Sequence, residues 1–474
     1  MPASLPRRSK LLYGTGETAE SIKLYAFEIF LFFYYTQVLG LSGSLTGFAL
    51  FIALFIDAIT DPIIASMSDN FRSRWGRRHP MMLAAIIPLM VTFYLVFSPP
   101  ADLSNNGLFF WLCGFSILVR VAITFFYVPY LAMGAELSGD YDERTSLVTY
   151  RLAFGVIAGI AVVMLGFSVF FKASEEFANG QLDASAYPEF GFTFALLMGM
   201  AMLSSALGTK RHIRDLPTSY GSNKAFSLVL AWQDFKCVFS NRLFFILFIS
   251  ALLVLVMRSI QATLGMHINT FFWQLTSEQI QWIVLAGVIG LLSGMPFARL
   301  LNQRFERKSL FISGLLIFIF FQNMPIILRM LGWLALQQTQ LLVLLLVSAF
   351  ISGVGVVQFM IAGTAMFSDI SDAHEIENNL GQQAMFFAGL VFLTKVATGM
   401  GHLIAGVAID WIAFPIDANP GDVGESTLMQ LAFVFGPGAT LIGIIAFFTL
   451  SRYSLPRAKV LQNQKHLESM RTGE

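Results

Sequence analysis

The sequence predicts an all-α membrane protein whose twelve transmembrane helices form two six-helix halves, and three observations predict it. Of its 474 residues 56% are hydrophobic and only 12% charged, with mean hydropathy +0.69, whereas a soluble domain carries about 25% charge. Twelve apolar runs reach the roughly 20 residues that a helix needs to cross about 30 Å of hydrocarbon. Lys and Arg gather in alternate loops, as they do where those loops stay cytoplasmic. The same composition excludes an ordinary soluble enzyme, and 48 Phe exclude a disordered chain. A net charge of +1 gives no basic excess for nucleic acid. Cys113 and Cys237 are too few for a disulfide framework.

In order, the runs are 22–40, 44–66, 80–98, 107–133, 149–171, 189–208, 243–267, 280–300, 309–330, 339–366, 383–411 and 428–451. The opening MPASLPRRSK has no cleavable apolar core behind it, so no signal peptide is expected. Of the 30 Lys and Arg, 23 fall at the termini or in the even-to-odd loops, and only Lys172 and Arg329 fall in the opposite ones. Both termini are therefore expected on the cytoplasmic side of an inner, or plasma, membrane. The organisation that follows is a bundle at 1–208, a middle loop at 209–242, a second bundle at 243–451 and a tail at 452–474. Two halves of equal span number suggest duplication. The basic stretches SDNFRSRWGRRHP after span two and RLLNQRFERKSLF after span eight echo one another.

Ionisable groups at bilayer depth cost at least about 2.5–3.5 kcal/mol each, so each is a functional candidate. Span one carries Glu20, Lys23 and Glu28. Glu20 and Lys23 stand at i, i+3 and can neutralise one another. Five residues of α-helix turn about 500°, so Glu28 lies off the Lys23 face and needs another partner or a proton. Span two reads GFALFIALFIDAITDPIIASM. Its Asp57 and Asp61 are one turn apart on one face, and two adjacent carboxylates in low dielectric cannot both stay ionised cheaply. A small cation such as Na⁺ or Li⁺, or a proton, relieves that repulsion; the alternative is that each pairs with a basic residue such as Arg120. Pro62 can free a carbonyl as a further ligand. On span four Arg120 and Thr124 lie one turn apart, and Phe126, Tyr127 and Tyr130 follow. Arg151 stands near the start of span five and His267 at the end of span seven, where an interfacial position is expected. Lys395 sits alone in span eleven and is expected to pair with an acid of span one or two. The abundant Phe is expected to face lipid. No phosphate-binding loop, metal-spaced Cys/His set or Ser-His-Asp pattern appears, so neither an enzyme nor a cofactor is expected.

The motifs YGTGE, FYYTQVLGLS, IDAITDP, SRWGRRHP, VPYLAMGAEL, DYDERTSLVTYR and SDISDAHE run through nearly the whole chain. With them the sequence resembles the major facilitator superfamily, and within it the glycoside-pentoside-hexuronide:cation symporter family to which the bacterial melibiose permease belongs. The resemblance implies the major facilitator fold. It implies a coupling cation, Na⁺ at Asp57 and Asp61 or H⁺, with Thr60 and Thr124 as nearby polar ligands. It implies a coupling role for Lys395 and a cytoplasmic gating motif at Asp69, Gly76 and Arg77. The two aspartates that hold sugar hydroxyls in melibiose permease are replaced here by Ser21 and Tyr127.

The expected function is cation-coupled symport of a sugar or glycoside by alternating access through a midplane cavity. Glu20, Glu28, Arg120, Tyr127, Arg151 and Lys395 are the candidates for binding or coupling the solute. The partners are a small-molecule solute, the coupling cation and the bilayer, without nucleic acid, and a monomer is expected. The alternatives are a cation-coupled carrier of a lysophospholipid or other amphiphile and a non-transporting membrane sensor or scaffold.

Overall fold

The computed structural model describes residues 5–138, 140–175, 177–212, 239–334, 337–378 and 383–472. Most of the middle loop, with Cys237, lies outside the described residues. Among those described the chain is helical and has no strand. Among the described residues eleven helices are long and apolar enough to cross a membrane, and they coincide with spans two to twelve of the sequence. The first expected span is helical as well. It begins as α1 (Arg7–Gly14) and α2 (Glu17–Ala26), then tightens and loosens through π-helical turns at Phe27–Leu31 and Tyr34–Val38. Glu28 lies in the first of these turns.

Two compact units divide the chain: residues 1–226, 276–278 and 402–419 form one, and 227–275, 279–401 and 420–474 the other. The first unit holds α1, α2, α3 (Gly43–Asn70), α4 (His79–Val96), α5 (Asn105–Glu136), α6 (Tyr141–Leu165) and α7 (Ala186–Thr209). Polar side chains start several of them by satisfying orphan amides of the first turn. Ser42 accepts from Leu45 N at 3.4 Å, Ser104 from Gly107 N at 3.3 Å and Asp140 from Glu143 N at 2.9 Å. Helix α3 continues through Pro62 without a break. The interior is aromatic: Phe30, Phe93, Phe97, Phe167 and Phe171 are fully buried, and Tyr34 stacks on Tyr187 at 3.8 Å. The expectation that Phe faces lipid is thus corrected. Phe110 and Phe192 are exposed, but these rings build the core, because offset and edge-to-face aromatic pairs fill helix crossings with little loss of rotamer freedom.

Also in the first unit, the last turns of α12 (Gln383–Trp411) meet the start of α3. Asp410 accepts from Gly43 N at 2.7 Å and Ser44 N at 2.8 Å, which places an anion on a helix N-terminus. The approach requires glycine: a Cβ on Gly406 would stand 1.9 Å from the Gly43 carbonyl oxygen, and one on Gly47 2.4 Å from that of His402. Gly406→Ala is accordingly expected to cost about 1–3 kcal/mol, the range for overpacking a close contact. A thermal midpoint in detergent equal to wild type would show that the helices separate freely there.

The second unit holds α8 (Arg242–His267), α9 (Ser277–Arg304), α10 (Arg307–Met330), α11 (Gln338–Asn378), most of α12, α13 (Glu425–Phe433), α14 (Ala439–Ser451) and α15 (Arg457–Thr472). It repeats a device of the first. The end of span one carries amide bonds from Leu39 to Tyr34 and from Leu41 to Tyr35, with Gly40 at φ +70° between them. The end of span seven carries bonds from Trp273 to Ile268 and from Leu275 to Asn269, with Gln274 at φ +51°. The two halves therefore share a helix ending as well as a basic loop. Arg307 pairs with Asp369, and Lys308 donates to the Ser451 and Tyr453 carbonyls at 2.7 and 2.8 Å, a cation closing the end of α14. His267 is fully buried. The helix does not end at it but continues into a π turn at Ile268–Phe272, which carries the chain on into the core.

Candidate functional site

The first unit assembles its charged residues in three groups. In the first, α3 and α5 pack side by side and each offers one face: Asp57 and Asp61 from α3, Arg120 and Thr124 from α5. Every pair is four residues apart, so each helix presents two groups one turn from each other. Thr124 Oγ1 lies 3.2 Å from Asp57 Oδ1 and 3.1 Å from Asp61 Oδ1. Three hard oxygens converge there. Arg120 Nη1 stands 3.6 Å from Asp57 Oδ2, an ion-pair distance beyond hydrogen bonding, and its guanidinium sits 5.7 Å over the Phe27 ring. Asp57 is 4% and Arg120 7% exposed. Both readings of the aspartates thus meet in one arrangement, since Arg120 is beside Asp57 while one oxygen of each carboxylate lies within hydrogen-bond reach of Thr124 Oγ1. Carboxylate and hydroxyl oxygens so placed are hard donors of the kind a monovalent cation or a proton could take. Thr60 turns its hydroxyl to the Asp57 carbonyl of its own helix at 3.2 Å and donates there.

The second group was only partly visible in the sequence. Glu17, at the start of α2, accepts from Tyr127 Oη at 3.0 Å, and its other oxygen lies 3.4 Å from Arg151 Nε of α6. Tyr13 stacks on Tyr130 at 4.7 Å between ring centres, and Tyr130 tilts toward Tyr127 at 5.9 Å. Gly155 on α6 makes the space: a Cβ there would come within 3.0 Å of Ser21 Oγ and 3.1 Å of Glu17 Cγ. Glu20 and Lys23 form the expected intrahelical pair at 2.7 Å. Tyr127 follows Thr124 by three residues, so α5 serves both groups from one face. Glu17 is the residue that sequence reasoning overlooked. Its signal was the i, i+3 spacing to Glu20, but the basic partner lies on another helix.

The third group closes the ends of α3 and α5. Asp69 pairs with Arg78 at 2.7 Å. Arg77 reaches Glu136 at 2.7 Å, and Arg78 joins the same oxygen at 2.7 Å while donating to Ser68 at 2.8 Å. Gly76, at φ +78°, makes the left-handed turn that points two successive arginines at one carboxylate. Glu136 was not foreseen, since it stands 58 residues from Arg78 in sequence. Of the remaining candidates, Glu28 is half-buried in its π turn and Lys395 half-buried on the part of α12 that belongs to the second unit.

Comparison with known proteins follows the same direction. A family model described as MFS/sugar transport protein matches residues 12–457. The putative glycoside/cation symporter YagG of Escherichia coli is 22% identical, covering 99% of this chain and 96% of that one. The sodium-dependent lysophosphatidylcholine symporter 1 of Gallus gallus is 23% identical, covering 98% and 89%. Among solved structures, a bacterial homologue of the human lysosomal transporter Spinster superposes with TM-score 0.63 at 13% identity, over 96% of this chain and 97% of that one.

Proposed function

Since this chain belongs to the MFS/sugar transport protein family, we propose that it is a cation-coupled secondary symporter of a sugar or glycoside. The observation that carries the proposal is the convergence of Asp57, Asp61 and Thr124 oxygens beside Arg120. The likeness to a putative glycoside/cation symporter supports it. An empty site holds two adjacent carboxylates that resist closure into a dry surrounding; a bound Na⁺ or H⁺ relieves their repulsion, and the loaded form crosses. Only the loaded or the fully re-paired state then changes access, which couples the solute to the cation. Lys395 is proposed as the positive charge that takes part in that re-pairing.

A second reading, a carrier of a lysophospholipid or another amphiphile, is favoured by the likeness to a sodium-dependent lysophosphatidylcholine symporter. Uptake into proteoliposomes under an imposed inward Na⁺ gradient separates the two. Labelled glycosides are expected to accumulate above a control without the gradient. Accumulation of lysophosphatidylcholine alone favours the second reading. Failure of every solute under both Na⁺ and H⁺ gradients overturns symport.

A further inference from the structure

The loop between α3 and α4 sets an aromatic ring among cations. Trp75 is 44% and Phe71 40% exposed, although both are large apolar rings at the end of a membrane-spanning helix. The Arg74 guanidinium stands 5.6 Å from the centre of the Trp75 ring, and the Lys210 ammonium 5.5 Å from the same centre. Two like charges from two elements thus share one indole. Among the described residues neither forms an ion pair, nor does the exposed Arg72. The arrangement is held in place. Ser73 Oγ donates to the Gly76 carbonyl at 2.7 Å and accepts from Trp75 N at 3.0 Å, which folds the loop. His79 at the start of α4 meets Thr209 at the end of α7 at 3.1 Å, and the next residue after Thr209 is Lys210.

The acids that reach this loop are taken, Asp69 by Arg78 and Glu136 by Arg77 and Arg78. Charge complementarity at Trp75 therefore calls for an anion from outside the chain. The rings decide its kind. A free anion would neutralise the cations and leave Phe71 and Trp75 in water. A phospholipid of net negative charge offers phosphate oxygens to the cations and glycerol and acyl chain to the rings, and Trp and basic side chains favour that boundary. A zwitterionic headgroup brings an ammonium that meets Arg74 and Lys210 as a like charge. Phe71 also continues a row of exposed apolar side chains on α3, Ile59, Ile63 and Met67, spaced by four and so on one face. That row is a track for an acyl chain.

We propose that Arg74, Trp75 and Lys210 form a binding site for the phosphodiester headgroup of an anionic phospholipid, with Phe71 at the head of its acyl chain and Arg72 as a further contact. The bound lipid cancels the repulsion between Arg74 and Lys210 and ties the α3–α4 loop to the end of α7. Arg77 and Arg78 stay with Glu136, and the site depends neither on the solute nor on the coupling cation.

The test uses the full chain reconstituted in phosphatidylcholine vesicles, with tryptophan emission quenched by dibrominated phosphatidylglycerol or dibrominated phosphatidylcholine. Subtracting the quenching of Trp75→Phe isolates the signal of Trp75. Phosphatidylglycerol is expected to bind there about thirtyfold more tightly, about fivefold for each of the two cations. The preference is expected to shrink as NaCl is raised, because exposed charges are screened beyond about 10 Å at 0.1 M. Arg74→Gln and Lys210→Gln are each expected to lose about fivefold and the pair nearly all of it, at an unchanged thermal midpoint, whereas Arg74→Lys keeps the preference. Equal quenching by the two lipids in wild type, or a preference that survives in the double variant, overturns the site. Relief of quenching by inorganic phosphate beyond that of chloride at equal ionic strength overturns the lipid as its occupant in favour of a free anion.

Discussion

Asp61→Asn is expected to abolish cation-driven accumulation while leaving solute exchange in place. In the native arrangement Asp57, Asp61 and Arg120 sum to one negative charge around the Thr124 hydroxyl. The amide keeps the shape and one oxygen but removes that charge, so Arg120 alone balances Asp57 and nothing calls for a further cation. A unit charge at about 4 Å is worth roughly 4 kcal/mol at an effective dielectric of 20, or nearly three orders of magnitude in cation affinity. The readouts are ²²Na⁺ binding, which is expected to be lost, and the accumulation ratio, which is expected to fall to that of the control without a gradient. Counterflow of unlabelled against labelled solute is expected to continue, because a permanently neutral site no longer opposes closure. Gradient-driven accumulation at the wild-type level in Asp61→Asn would remove the pair from the coupling mechanism.

Arg120→Met is expected to act in the opposite sense, on stability before transport. Arg120 and Asp57 are both nearly inaccessible, and removing one member of a buried pair leaves an uncompensated charge that costs about 3–5 kcal/mol. The site then carries two negative charges, so Na⁺ becomes its main source of neutralisation. Thermal unfolding in detergent is expected at a clearly lower midpoint without Na⁺. Part of that loss is expected to return as Na⁺ is added: about 2.7 kcal/mol at a hundred times the dissociation constant, by mass action. The double variant Asp57→Asn, Arg120→Met restores one negative charge and is expected to unfold near the wild-type midpoint. A single variant whose midpoint ignores Na⁺ would show that Arg120 does not share the cation's surroundings.

The two aspartates were legible because they stand four apart on one helix, and the same spacing at Arg120 and Thr124 marked the complementary face. The extent of spans two to twelve was legible from apolar run length. Less could be read where the backbone leaves the α-helix. The π turn at Ile268–Phe272 carries the helix past His267, so the end assigned to span seven shifted. The basic motif after span two was recognised, yet its pairing was not. Whether Arg77 or Arg78 meets Asp69 depends on the left-handed turn at Gly76 and on Glu136 arriving from α5.

By itself, then, the sequence determined how many helices cross a membrane, which loops carry the positive charge, and that α3 and α5 each own a polar face. Helical periodicity is enough for that, because it decides which residues of one helix look the same way. It says nothing of how two helices are rotated about their axes. That rotation comes from packing, from Gly155 admitting Glu17 and from Gly43 and Gly406 meeting backbone to backbone. Only the tertiary structure could therefore bring Glu17 to Arg151 and Tyr127 and place Arg120 against Asp57.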